Sequence, residues 1–259
     1  MKKTIKVALN LTKLNIEKDL IYSLNTWFLL FTTLAYSLAY ILSYKFVFDE
    51  TGTVLGVTFE EMFMLLLGGQ LFWYMQQVLF RKSMQYLADL INTGGLDMFL
   101  LKPINLKGIL TFLDFDQRHL IPSIVTIGVI GYKLADYNLG LVDVALIVFF
   151  FVNGLLISFF LSFLAASMTF WVGKNDPIFH IFLALVDLVR LPVGFFPPIL
   201  NTFFLFVIPV IPVLNPSYGI LYSKESTELL LISVGMTVVM FLIAEIVWRQ
   251  GLKNYTSAN

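Results

Sequence analysis

Apolar residues run along this chain in long blocks, and short polar stretches separate them. A membrane-crossing helix takes about 20 mostly apolar residues. On that ruler the chain predicts six spans, at Tyr22–Phe46, Glu61–Phe80, Leu120–Leu134, Leu141–Val172, Ile178–Phe196 and Leu229–Val247. The third is short and is expected to draw Leu106–Leu113 into its helix, whereas the fourth is long enough to tilt or to project beyond the bilayer. The pattern predicts an all-α polytopic membrane protein, with residues 21–259 forming one six-helix domain.

Three further segments fall outside those spans. The run Phe203–Leu214 is apolar but only 12 residues long, a length typical of re-entrant or interfacial segments. Pro192, Pro197, Pro198, Pro209, Pro212 and Pro216 place six of the nine prolines nearby, and each removes a backbone donor. Irregular backbone at membrane depth survives only when buried in protein or lining a cavity. Residues 197–222 are therefore expected to dip into the membrane as a broken hairpin. At the other end, Lys2–Asp19 reads as an interfacial helix with Lys6, Asn10, Lys13 and Glu17 along a polar strip, which sets residues 1–20 apart from the bundle.

The third segment follows the second span. Arg81–Asn92 reads as a short helix with Met84, Leu87, Leu90 and Ile91 at helical spacing, stopped at Gly94–Gly95 because glycine takes the left-handed turn without steric cost. Leu96, Met98, Phe99, Leu100 and Leu101 then bring five large apolar side chains, with Asp97 among them, into what should be a loop. An exposed patch of that kind marks a protein contact. The alternative is packing against the chain's own interfacial helices.

Composition agrees with the membrane reading: 58% of residues are hydrophobic and 13% charged, against about 25% charged in soluble domains. Net charge is zero, which disfavours nucleic acid as a partner. Placement of charge is more informative than its sum. Thirteen of the seventeen Lys and Arg lie in 1–20, 81–119, 173–176 and 248–259. Basic residues stay on the cytosolic side, so both termini are expected there, which an even number of spans satisfies. Cysteine is absent and only His119 and His180 are histidines, so thiolate sites are excluded and a metal centre is disfavoured.

A few polar groups fall at membrane depth. Asp187 and Arg190 are three apart in the fifth span, on one helical face, and can serve as a structural ion pair or contact the transported molecule. Asp114 and Arg118 can pair in the same way, with Asp116, Gln117 and His119 around them as an interfacial collar. Gln70, Gln76, Gln77, Asn153 and Ser158 are read chiefly as helix-to-helix hydrogen-bonding groups, with Gln70 and Asn153 kept as pathway candidates. No cluster brings together a nucleophile, a base and an oxyanion donor. The nearest approach to a phosphate-cradling GxxxxGK[ST] loop is Gly173–Lys174, which lacks the upstream glycine and is followed by Asn175.

Six strings occur in order: GGLDMFLLKPIN at 94–105, TFLDFDQRHL at 111–120, MTFWVGKND at 168–176, LVDLVRLPVGFFPP at 185–198, VLNPSYGILYS at 213–223 and WRQGLKNYTSAN at 248–259. Together they resemble the type-2 ABC transporter permeases, over nearly the whole chain. The resemblance implies six helices per subunit, two permeases per pore as a second copy or a similar chain, and a cytosolic ATPase dimer that binds ATP and Mg and drives export. It implies no cofactor in this chain. It also makes 81–108 the coupling segment that rests on the ATPase, with Met84, Leu87, Leu90, Ile91, Leu96, Asp97, Phe99 and Leu100 as contacts. The outer hairpin would then supply a gate from Phe196, Asn215, Pro216 and Tyr218. Aromatic, largely uncharged spans point to an amphiphilic or hydrophobic cargo. The rival readings are a secondary transporter or membrane-embedded enzyme using Asp187, Arg190 or the 114–119 cluster, and a scaffold that binds an ATPase without moving cargo.

Overall fold

A computed structural model describes residues 23–101, 116–173, 181, 184–222 and 227–255. The interfacial helix expected over 1–20, and Asp114, lie outside the described residues, as does the part of the coupling segment from 102 to 108. Among the described residues, four helices are long and apolar enough to cross a membrane, and one bent helix pair passes the same test together.

Helix α1 (Ser23–Thr51) comes first. Its apolar side chains, Phe28, Phe31, Leu38 and Phe46 among them, stay exposed along most of its length. A two-residue turn at Leu55–Gly56, both with positive φ, then joins β1 (Thr53–Val54) to β2 (Val57–Thr58). Thr58 closes the hairpin and starts α2 (Phe59–Gln76) through a capping box, its hydroxyl accepting from the Glu61 N–H while the Glu61 carboxylate accepts from the Thr58 N–H.

Helix α2 is the mast of the bundle. Met62 and Leu66, one turn apart, pack toward α1 with Phe48, and Leu65 and Phe72, two turns apart, face the other half of the fold. Ser37 and Tyr74 join α1 to α2 through a buried 2.6 Å hydroxyl pair. The mast does not stop where the sequence suggested. It passes through one wide turn at Gln77–Arg81 into α3 (Lys82–Thr93) as a single 35-residue rod. Such a rod is roughly 50 Å long, well beyond the ~30 Å apolar thickness of a bilayer. Gly94, with φ of 77°, ends it, and α4 (Asp97–Leu100) turns away as an elbow.

After the undescribed connection a short turn, Gln117–His119, leads into α5 (Leu120–Leu134). Asp116, at φ −94° and ψ 86°, is not helical, and Leu106–Leu113, expected to extend the third helix inward, lie outside the described residues. Helix α6 (Leu141–Ser167) and the short α7 (Thr169–Val172) follow. The expected fifth span, Ile178–Phe196, is corrected only at its described end. The described chain makes tight turns at Asp187–Arg190 and Val193–Phe195, with Leu191 and Pro192 extended between them. Pro192 denies the preceding residue the helical region, so the break begins at Leu191 and not at 197. Helices α8 (Pro198–Phe206) and α9 (Ile211–Leu221) then meet at 106°. The last helix, α10 (Thr227–Asn254), runs past the expected end at Val247.

Two half-bundles result, α1/α2/α5 and α6/α9/α10, joined where α2 touches α6 and α9. At Gly154 of α6 a Cβ would stand 2.5 Å from the Val213 carbonyl oxygen, so the absent side chain lets α6 and α9 cross at backbone contact. Small residues at helix crossings give membrane bundles this close approach.

Candidate functional site

The residues singled out in the sequence separate into an elbow, a membrane-depth polar network and the proline-broken segment. At the elbow, the apolar face of α3 turns inward. Met84, Leu87, Leu90 and Ile91 are buried against Phe163, Ala165 and Ala166 of α6 and Ala244 and Trp248 of α10. Leu96 is 0% exposed and belongs to the same core, with Phe99 packed beside it. The exposed patch expected of Leu96, Met98, Phe99, Leu100 and Leu101 is smaller than that, because the left-handed turn at Gly94 folds Leu96 back over α3. Its N–H donates to the Leu90 carbonyl, and Gly95 leaves room for the Leu90 side chain. What remains outside is a smaller tip: Met98, Leu100 and Leu101 are 61, 45 and 86% exposed. Asp97 is half-buried, and burial together with this carboxylate pushes the Tyr255 phenol above its usual pKa.

Elbow and helix ends are locked by aromatic packing. Phe170 of α7 meets Trp248 and Tyr255, and Gly251 is bare of a side chain where the Phe170 ring lies on α10. Near the wide turn that leads into α3, Asp116 is buried and gathers charged partners. Arg118 grips it with two bonds of 2.7 and 2.8 Å, Lys82 of α3 reaches it at 3.0 Å, and His119 Nδ1 stands 3.6 Å away. Burial alone would raise its pKa, but His119, Arg118 and Lys82 outweigh that and hold the carboxyl well below the usual carboxylate range. Arg118 pairs with Asp116, and its expected pairing with Asp114 lies outside the described residues. The cluster ties the start of α5 to the rod.

The sign of its pH dependence follows. A depressed folded-state pKa gives stability that is present above the unfolded value and is lost as pH falls through the folded one. Asp116→Asn is expected to lower unfolding stability by about 1.5–3 kcal/mol, the range for charge-assisted bonds, with the difference constant between about pH 5 and 8. Thermal unfolding of the detergent-purified pair across that range checks this; a difference that shrinks toward pH 5 contradicts it.

At membrane depth Asn153, Ser233 and Thr237 bind each other, whereas the buried Ser158 hydroxyl, expected to bond between helices, has no hydrogen-bond partner among the described residues. Asn153 Nδ2 donates to the Ser233 hydroxyl at 2.8 Å and Asn153 Oδ1 accepts from Thr237 at 2.8 Å, joining α6 to α10. Ser233 in turn donates to the Pro212 carbonyl at 2.7 Å. That carbonyl is the one Pro216, lacking an N–H four residues on, leaves without a helical donor. A hydroxyl from a neighbouring helix thus repairs the proline defect, so Asn153 is a clamp by its contacts. The one clue in the sequence was Pro216 itself, whose missing donor predicts an orphan carbonyl at 212. Gln70 is buried on α2.

Asn215 of α9 does the corresponding work for the chain before it. Its Oδ1 accepts from the Val193 N–H at 2.8 Å and its Nδ2 donates to the Leu191 carbonyl at 3.3 Å, across the extended Leu191–Pro192 link. The strings at 185–198 and 213–223 therefore meet through one buried amide. Phe196 packs on Phe204 with ring centroids 5.1 Å apart, and Tyr218 meets Tyr222 with tilted rings at 5.0 Å. Arg190 is buried with its guanidinium 5.0 Å from the Tyr40 ring centroid, and its side-chain stem lies where Gly69 of α2 has no Cβ. The Asp187 side chain lies outside the described residues, so its expected pairing with Arg190 does too.

Asn215→Leu, close in size, is expected to strand the half-buried Val193 N–H and cost about 1–3 kcal/mol. A fall in the detergent unfolding midpoint with unchanged expression checks it; an unchanged midpoint contradicts the role given to Asn215.

A family model described as ABC-2 family transporter protein matches residues 34–259, from the middle of α1 to the end of the chain. The chain belongs to the ABC-2 family of transporter proteins. The match covers all three regions just described, and with the apolar helices it makes this ABC-2 chain a multi-pass membrane protein of the permease type. No curated protein and no solved structure matches it. Among the described residues of this ABC-2 chain, no group of three or more His, Cys, Asp or Glu is placed to hold a metal ion.

Proposed function

We propose that this chain is the membrane subunit of an ATP-driven exporter, working as a pair with a second copy or a similar permease on a cytosolic ATPase dimer. The observation that carries the reading is the joining of the family match to a rod that outruns the bilayer and ends in an exposed apolar tip at Met98, Leu100 and Leu101. ATP and Mg would be bound by the ATPase partners, since no phosphate-cradling loop is present in the sequence. The chain itself then has no catalytic site. In the proposed orientation both termini and the elbow are cytosolic, and the bent α8–α9 pair dips in from outside as the hairpin of a six-span fold.

Coupling in this reading is mechanical. Because α2 and α3 form one rod, a push on the tip is delivered to the helix at the junction of the two half-bundles. The wide turn at Gln77–Arg81 is the built-in irregularity where the rod can change its bend. ATP drives such a change only if it favours one global state over the other. An amphiphilic or hydrophobic cargo fits the aromatic, sparsely charged helices. The test is to purify the tagged chain together with its genomic neighbours. An ATPase that carries a phosphate-cradling loop and co-purifies supports the exporter reading; its absence removes that reading, and an ATPase present without ATP-dependent cargo movement favours the scaffold.

A further inference from the structure

An apolar groove of about 400 Å³ opens between α2, α5, α6 and α9, with Leu71, Met75, Ile130, Leu134, Val148 and Phe151 among its walls. That volume lies in the range of ligand pockets, about 300–1,000 Å³. Gly68 and Gly131 line it, and a Cβ at either would meet no atom within 4 Å, so the groove is open space and not tight packing. At the end bearing the β-hairpin the groove continues, through the shared Met64, into a second recess of about 700 Å³. This one is polar. It is lined by Glu60, Glu61, Lys133, Asp136, Tyr137 and Tyr222, with the rings of Phe59 and Phe63.

The charges of the recess select its occupant. Three carboxylates face one ammonium, and that ammonium, Lys133, already lies 3.6 Å from Asp136. Glu61 is engaged by the Thr58 N–H, while Glu60 is exposed. Tyr137 and Tyr222 present aromatic rings set edge-on to one another, 5.6 Å apart. Carboxylates beside aromatic faces suit an ammonium group, which the ring quadrupole attracts. A groove lined by apolar side chains beneath such a recess suits a hydrocarbon chain.

We infer that groove and recess together bind one single-chain amphiphile drawn from the surrounding bilayer, its hydrocarbon in the groove and an ammonium headgroup in the recess. This rests on the chain's residence in a membrane and not on any ATPase, so its failure leaves the exporter reading untouched, and the reverse also holds.

The probe is a photoactivatable long-chain primary amine, added to the purified full-length chain in nanodiscs without nucleotide, with the matching carboxylate as comparator. Crosslinks are mapped by mass spectrometry. The expected result is labelling concentrated on Leu71, Met75, Ile130 and Leu134, with the amine favoured about tenfold, equivalent to ~1.4 kcal/mol. Gly68→Leu and Gly131→Leu, each filling open space, should remove that labelling, and Glu60→Lys should erase the preference for the amine. Labelling spread evenly onto the exposed Ile124 and Val125 of α5 overturns the inference. So does labelling that survives both filling variants, or equal labelling by amine and carboxylate.

Discussion

Changing Met98, Leu100 and Leu101 together to Ser is expected to cut recovery of the ATPase with this chain by more than about tenfold, while the chain's own unfolding midpoint stays unchanged. The three side chains are the exposed remainder of an otherwise folded-in elbow, so their truncation removes contact surface without opening the core. An interface anchor is typically worth more than about 2 kcal/mol on truncation, and ~1.4 kcal/mol is a factor of ten. Leu96→Ser provides the contrast. It places a hydroxyl in the core shared by α3, α6 and α10 and should lower the unfolding midpoint. If the triple variant keeps full ATPase recovery and Leu96→Ser alone abolishes it, the contact is not at the tip.

Gly154→Leu is expected to have the largest effect on the fold. A Cβ there would lie 2.5 Å from the Val213 carbonyl oxygen and 2.9 Å from Val213 Cγ1, and a backbone carbonyl has no rotamer by which to retreat. Helices α6 and α9 would have to separate, pulling the Asn153–Ser233–Pro212 chain of hydrogen bonds with them. Overpacking a tight core costs about 1–3 kcal/mol for small insertions, and a full leucine at backbone contact exceeds that. Size-exclusion profiles of the detergent-extracted protein should show loss of the monodisperse species for Gly154→Leu and its retention for Gly68→Leu, where the same addition meets open space. Equal behaviour of the two would contradict the crossing as described.

What the sequence made legible was whatever depends on local apolar length. Helix α5 has the bounds Leu120–Leu134 read from hydropathy, and the stop at Gly94 follows from its positive φ. Hydropathy could not show that α2 and α3 are one rod, because a wide helical turn leaves no compositional mark. It also misplaced the fifth-span boundary, where the apolar run continues but Pro192 fixes Leu191 as extended. At the elbow the pattern left open which surface the apolar side chains cover. Met84, Leu87 and Leu96 are apolar whether they meet a partner or their own α6 and α10, and only the fold decides between the two. Asn215 and Ser233 were hardest to see, since their partners are backbone groups 22 and 21 residues away.

The central claim is that an ATPase seats on the elbow tip. A photo-crosslinking amino acid placed at Leu101, the most exposed residue of that tip, tests it in cells that make the whole complex. Illumination should give a covalent adduct with a protein that carries a nucleotide-binding loop. An adduct only with lipid, or only with this chain itself, would contradict the account.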